Sequence, residues 1–397
     1  MKIDFSLFKD KRYTYLFLSN FTYWLIVTIS LSFFPIILTG NLPINGEMYV
    51  MMGISAGVQK IIGLLSLLGL PFLLTKCSLQ EISKLSIILY AIPLVLMPFY
   101  INLSFWFLLV ISFGIGTKYF STLLFSTSNI IFKNEKRGTL NGIMNVITLI
   151  AISFPYIVYY FTKNIYFLFI LCFLLSILNL YFFSKLDLEC KEIKFAKNLN
   201  FKKYFGENYL LYISNFIYEF ISASFFVYTM KYAENNGWNI GDAGMLLSVY
   251  TIVGGIFSIP TGWVYDKKRT DGVLILATLI TCLCAICVPD YINSHFMLFV
   301  IYGILGISTG FVYLGSYTIL NSKYQKEELV SANATLNFCG GIARISSNFI
   351  MGYALKKSFD YQIPSLFTLP IAILSLIYIT LFIVKYIKLR MQYKRIN

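Results

Sequence analysis

Four ionisable side chains lie inside stretches of sequence that are otherwise strongly apolar: Lys60, Lys118, Glu219 and Arg344. A charge held in the middle of a bilayer costs several kcal/mol, so such groups usually face a protein interior or a wet cavity and mark the route of a solute or a proton. Each of the four falls roughly 16–21 Å from the start of its apolar stretch at a helical rise of about 1.5 Å per residue, close to mid-membrane. Amide and aromatic groups accompany them: Asn20, Tyr23 and Trp24; Asn215, Tyr218 and Phe225; Tyr119; Tyr313 and Tyr317. A mixed lining of this kind suits an organic solute better than a bare ion. Most of the 37 Phe and 30 Tyr must nevertheless serve packing or face lipid, so for any one aromatic the packing role comes first, while Asn20 and Asn215 carry amides that need partners. Lys60 is alternatively free to snorkel to headgroups, and Arg344 to cap the carbonyls of a neighbouring helix.

The elements that hold these groups are membrane-spanning helices. Of 397 residues, 58% are hydrophobic and 13% charged, too little charge to cover a soluble surface. Apolar stretches long enough to cross a hydrocarbon core of about 30 Å recur throughout. The spacing predicts about twelve, at 15–39, 48–74, 85–101, 105–132, 138–162, 165–184, 208–231, 242–265, 272–290, 295–321, 330–355 and 362–387. The first apolar stretch has no small-residue cleavage site and is expected to remain as a helix rather than be removed as a signal peptide.

The formal charge of +14 follows the alternation of these spans. One set of loops and both termini carry 25 Lys and Arg, including Lys76, Lys84, Arg137, Lys267, Lys323 and Lys385. The other set carries four, Lys163, Lys231, Lys356 and Lys357. This positive-inside pattern puts both termini in the cytoplasm and favours an even number of spans. The basic excess therefore concerns topology and the lipid bilayer, and nucleic acid is not an expected partner. Cys282, Cys284 and Cys287 sit in an apolar segment without His or acid nearby and read as small hydrophobic residues, and His295 falls in an outward loop. No phosphate loop, H-E-x-x-H, nucleophile elbow or acidic metal motif is present, so neither ATP-driven pumping by this chain nor an enzyme is expected, and no cofactor is called for.

The chain also repeats itself. Ser19-Asn20-Phe21-Thr22-Tyr23-Trp24 and Ser214-Asn215-Phe216-Ile217-Tyr218-Glu219 share four of six residues at an offset of 195. Pro71 to Lys76 aligns with Gly262 to Lys267 at 191, and Asn145 with Asn337 at 192. Such echoes indicate duplication of a six-span unit, with residues 1–184 and 208–397 as two bundles and 185–207 as a cytoplasmic linker. Six spans is even, so the halves insert in the same orientation as parallel repeats.

Gly262-Trp263-Val264-Tyr265-Asp266-Lys267-Lys268-Arg269 resembles the G-x-x-x-D-[RK]-x-G-[RK] loop of the major facilitator superfamily, with Arg269 in place of the second Gly. The first-half copy has Pro71 for the Gly and Thr75 for the Asp. Glu135-Lys136-Arg137-Gly138 and the Gly114-Ile115-Gly116 pair also resemble family segments, although the Arg usual before that pair is absent and Lys118 follows it instead. Only Pro155 stands near the Gly-Pro signature of many drug exporters. The resemblance covers essentially the whole chain and implies an all-α fold of two six-helix pseudo-repeats, working by alternating access in the cell membrane as a multi-pass protein, and as a monomer. It implies that spans one, four, seven and ten line a central cavity while two and eleven face one another, so that Lys60, Lys118, Glu219 and Arg344 converge.

Three cations and one acid then give the cavity a formal +2. That charge calls for an anionic group on the solute, bound by Lys118, Lys60 and Arg344, with Asn20, Asn215, Tyr23 and Tyr218 alongside, or else for a lysine that loses its proton. Glu219 either holds one cation in place or carries a coupling proton, and the coupling partner is a proton or a counter-solute. Asp266, Lys267 and Arg137 are expected to form a cytoplasmic gate, Asp266 meeting the start of the fifth span. The alternatives are proton-coupled efflux of drugs or other amphipathic compounds and, more distantly, a membrane-embedded enzyme or a sensor.

Overall fold

The structure, a computed structural model, describes residues 11–40, 45–67, 69–131, 137–186, 201–267, 271–324 and 326–396. Regular structure among the described residues is helical: α1 (Lys11–Gly40), α2 (Glu47–Ser66), α3 (Leu70–Lys76), α4 (Leu79–Leu96), α5 (Leu103–Ile131), α6 (Arg137–Thr162), α7 (Ile165–Ser184), α8 (Phe201–Glu207), α9 (Tyr209–Asn235), α10 (Ile240–Lys267), α11 (Asp271–Cys287), α12 (His295–Lys323), α13 (Lys326–Tyr361) and α14 (Leu369–Ile396). Each expected span has its helix, α3 and α8 being short extras. Ten helices among the described residues are long and apolar enough to cross a membrane. α11, at 17 residues, is shorter, and α13, at 36, contains the most polar stretch of the bundle.

Local chemistry sets the boundaries. The predicted second span breaks after Ser66, where Gly69 and Pro71 end one helix and start the next; proline suits the first helical turn, where its missing N–H has no partner to lose. α4 begins earlier than its apolar run because Ser78 and Glu81 form a reciprocal capping box. Asn164 caps α7, accepting from the Phe167 amide at 3.1 Å, which closes the tight connection after α6. Within the predicted linker, α8 docks on the second half: Tyr204 meets Tyr324 edge-on, and Phe205 stacks on Tyr212.

The repeated sequence is repeated in contacts. α1 packs on α6 and α7 as α9 packs on α13 and α14; α5 packs on α2 and α4 as α12 packs on α10 and α11. The echoing hexapeptides do equivalent work. Ser19 donates to Asn179 of α7 at 2.6 Å, and Ser214 bonds Tyr378 of α14 at 2.6 Å. Tyr23 donates to the Thr117 carbonyl of α5 at 2.9 Å, while Tyr218 lies against Tyr313 of α12 with ring centroids 5.7 Å apart.

A second echo lies in two crossings where backbones nearly touch. A Cβ on Gly114 would sit 2.6 Å from the Gln59 carbonyl oxygen of α2, and one on Gly306 would collide with the Tyr250 carbonyl of α10. These pairs stand at offsets of 192 and 191. Overpacking a tight interface costs about 1–3 kcal/mol. Gly306→Val is therefore expected to lower the unfolding temperature by several degrees, whereas Gly262→Val, where no atom lies within 4 Å of the new Cβ, leaves it unchanged in a thermal melt.

Between the halves, α2 packs on α13 and α6 on α10, with α1 touching α9. The seal is formed toward the end opposite the termini. There Ser32 donates to the Phe226 carbonyl at 2.6 Å, Asn235 to the Tyr49 hydroxyl at 2.6 Å and Ser248 to the Ser153 carbonyl at 3.3 Å, and Lys356 pairs with Glu47. Nearer the termini the contact loosens: a Cβ on Gly341 would have Leu64 as its nearest neighbour, at 3.9 Å, and Phe338 and Ile342 are exposed.

Candidate functional site

The polar centre is built on facing turns of α9 and α13. Glu219 stands one turn beyond Asn215 on α9, and Arg344 one turn beyond Gly340 on α13, the spacing that puts both members of each pair on one helix face. Gly340 allows the approach: a Cβ there would lie 3.1 Å from Cγ of Glu219 and 3.3 Å from Nδ2 of Asn215. The Arg344 guanidinium donates to Oε1 of Glu219 at 2.9 Å. The Glu219 side chain is 15% exposed and that of Arg344 33%, so the pair borders open space rather than dry core.

Lys60 on α2 and Lys118 on α5 face the same centre. Both lie within electrostatic reach of Glu219 and Arg344, and Lys60 within reach of Lys118. Gly63 helps to place them, since a Cβ there would be 3.3 Å from Cβ of Lys118. Neither ammonium makes a hydrogen bond or ion pair among the described residues; the carboxylate at this centre is taken by Arg344. The result is one acid among three cations, two of them without an acceptor. Removing charge from water without a partner is costly, so the described side chains alone leave this centre short of compensation.

A tyrosine wall flanks the pair. Tyr218 meets Tyr313, and Tyr313 meets Tyr317 with centroids 5.0 Å apart. The Tyr317 hydroxyl donates to Oδ1 of the exposed Asn337 at 3.0 Å. All three rings lie within reach of the charges of Glu219 and Arg344.

The other residues expected at the site lie elsewhere or are engaged. Asn20 ties α1 to α6, donating to Thr148 at 2.9 Å and to the Met144 carbonyl at 3.3 Å. Tyr23 is buried with its hydroxyl on Thr117, and Trp24 packs edge-on against it. The Tyr119 hydroxyl points toward Gly69 at the end of α2, and Phe225 packs between Tyr302 and Phe367 in the second half. Asn215 is buried, and its Oδ1 has no partner among the described residues. The expected gate, Asp266, Lys267 and Arg137, has side chains outside the described residues. Gly340 and Asn348, by contrast, were not singled out from the sequence; a glycine or asparagine four residues from an intramembrane Arg was the available signal.

The Major Facilitator Superfamily model matches residues 208–392. Among solved structures the chain is similar to a D-xylose-proton symporter, with a TM-score of 0.72 and 12% identity over 92% of this chain and 96% of that one. It is similar to the nucleoside transporter NupG at 0.70 and 12%, over 94% of this chain and 99% of that one. The sequence match lies in the second half and the shared fold spans both.

The family's sequence signature is thus carried by the second half, residues 208–392.

No curated protein matches it. With that match in its second half and membrane-length apolar helices in both halves, it is a multi-pass membrane protein and a secondary transporter rather than an enzyme. At 12% identity the solved structures establish its fold and leave its solute to the chemistry of its own centre.

Proposed function

We propose that this transporter carries a small organic solute bearing a carboxylate, phosphate or similar anionic group, by alternating access through the centre around Arg344. The observation that carries the reading is the pair of ammonium groups, Lys60 and Lys118, without acceptors among the described residues, beside an arginine whose carboxylate partner is already engaged. An anionic group placed between them gains charge-assisted hydrogen bonds and reduces the local excess of positive charge. Tyr218, Tyr313 and Tyr317 supply a surface for the organic part of the solute. Glu219 organises Arg344 and is the carboxylate placed to take up a coupling proton. In this reading the termini are cytoplasmic, so the structure is open to the cytoplasm and sealed outside.

The tyrosine wall and Asn337 favour a second reading, a neutral hydroxylated solute moved with a proton. The resemblance to a D-xylose-proton symporter and a nucleoside transporter is compatible with it. Efflux of amphipathic cations fits least well with a cation-rich centre.

Thermal stabilisation of the purified protein separates these. A ligand that binds the folded state adds about 2.7 kcal/mol at a hundredfold excess over its Kd. Small dicarboxylates and sugar phosphates are expected to raise the melting temperature at millimolar concentration, while neutral sugars, nucleosides and lipophilic cations leave it unchanged. Stabilisation by nucleosides or sugars alone would transfer the assignment to the second reading. Stabilisation by lipophilic cations alone would restore efflux.

A further inference from the structure

Beyond Arg344, α13 enters the seal against α2, and one turn on its side chain is Asn348. That side chain is 0% exposed. Both its Oδ1 and its Nδ2 lack a hydrogen-bond partner among the described residues, and each presents less than 1 Å² of surface, so no water-sized space touches either atom. The main chain at the same residue is fully engaged. Its carbonyl accepts from the Tyr228 hydroxyl at 2.5 Å and lies against Gly53 of α2, where there is no room for a Cβ. One further turn along, Gly352 fits equally closely, with the Tyr228 hydroxyl 2.7 Å from where its Cβ would be and the Tyr49 carbonyl 2.8 Å away. The backbones thus close the seal while the amide of the same residue is left dry.

A buried amide with neither donor nor acceptor satisfied forfeits the hydrogen bonds that water gave it, and native proteins seldom tolerate this without a use. Here the amide belongs to the residue whose carbonyl meets Gly53, and it shares a helix face with Gly352, which meets Tyr49, so it lies along the contact that must part if rocking of the halves separates α2 from α13. Opening admits water to Asn348 and restores both sets of bonds; closing strips them. We propose that Asn348 is a built-in bias of the transport cycle, a polar group whose desolvation in the sealed state drives this end to reopen. The close glycine contacts hold the seal together, and the amide keeps it from becoming the resting trap. This inference is independent of which solute is carried.

Asn348→Leu tests it, because leucine is close to asparagine in shape and needs no hydrogen bonds. Hydrogen exchange of the full-length protein in detergent reads how often the seal opens, through peptides covering 45–58 and 345–361. The variant is expected to slow exchange there roughly tenfold, the order that a lost amide hydration implies. Exchange in α4, remote from the seal, should not change, and the unfolding temperature should rise. Asn348→Asp places a charge in the same dry position and is expected to accelerate exchange in the same peptides at least tenfold. It provides the test on its own if the leucine variant does not fold. Exchange that is unchanged or faster in Asn348→Leu, or unchanged in Asn348→Asp, would overturn the proposal by showing that the amide is either idle or holds the seal shut.

Discussion

Glu219→Gln is expected to destabilise this transporter more than Arg344→Gln, although the two residues share one ion pair. Removing one partner of a buried ion pair commonly costs about 3–5 kcal/mol because the other charge is left uncompensated. The pair here is not isolated. Loss of Arg344 leaves Glu219 with two ammonium groups within reach, so the formal charge of the centre falls from +2 to +1 and the carboxylate keeps counter-charges. Loss of the carboxylate leaves three cations and no acid. Partial exposure of the pair moderates both effects. We expect about 2–4 kcal/mol for Glu219→Gln and about 1–2 kcal/mol for Arg344→Gln, read as the order of melting temperatures in one detergent. The double variant should recover part of the loss of Glu219→Gln. A larger effect at Arg344 would show that Lys60 and Lys118 do not share the field of Glu219, and the common centre would have to be abandoned. The same variants bear on coupling: with a proton carried on Glu219, Glu219→Gln retains solute exchange in proteoliposomes and loses uphill accumulation.

Under the anion-binding proposal, stabilisation by organic anions is expected to disappear when Lys60 and Lys118 are removed. A charge-assisted hydrogen bond is worth about 1.5–3 kcal/mol, so Lys118→Ala should weaken binding of an anionic ligand by roughly ten- to a hundredfold. Lys60→Ala should act similarly, and the double variant should abolish the thermal shift. The apo protein behaves differently. With a formal +2 reduced by one in each single variant, Lys118→Ala and Lys60→Ala are expected to melt at or slightly above the wild-type temperature without ligand. A gain in intrinsic stability with a loss of ligand response is the pattern of a binding residue. A fall in both would indicate that the lysines hold helices together and would sink the anion-binding reading.

Much of this protein was legible before any coordinates. The twelve apolar stretches are all helical, the second as two helices, because in a bilayer a backbone must satisfy its own hydrogen bonds and the helix does so within one segment. The echoing hexapeptides announced the repeat, since duplicated helices meet duplicated neighbours: Ser19 and Ser214 bond the equivalent helices α7 and α14. The four intramembrane charges stood out because each costs too much to be there by accident.

What the sequence could not fix depends on which surfaces meet. The span at 48–74 broke in two because a proline begins a new helix there, a local feature hidden within a long apolar run. The span expected at 330–355 is longer in the structure, α13 running from Lys326 to Tyr361, and only packing shows that its Arg344 turns to Glu219 of α9. Asn20 and Asn215 look alike in the sequence, yet one is bonded to Thr148 while the other sets its Nδ2 beside Gly340 and has an Oδ1 without a partner among the described residues. Composition determined that charge lies within the membrane and how much. Only the packing of α9 against α13 decided that Arg344 takes the one carboxylate and that two lysines are left without one, because pairing is set by distances between helices far apart in the chain.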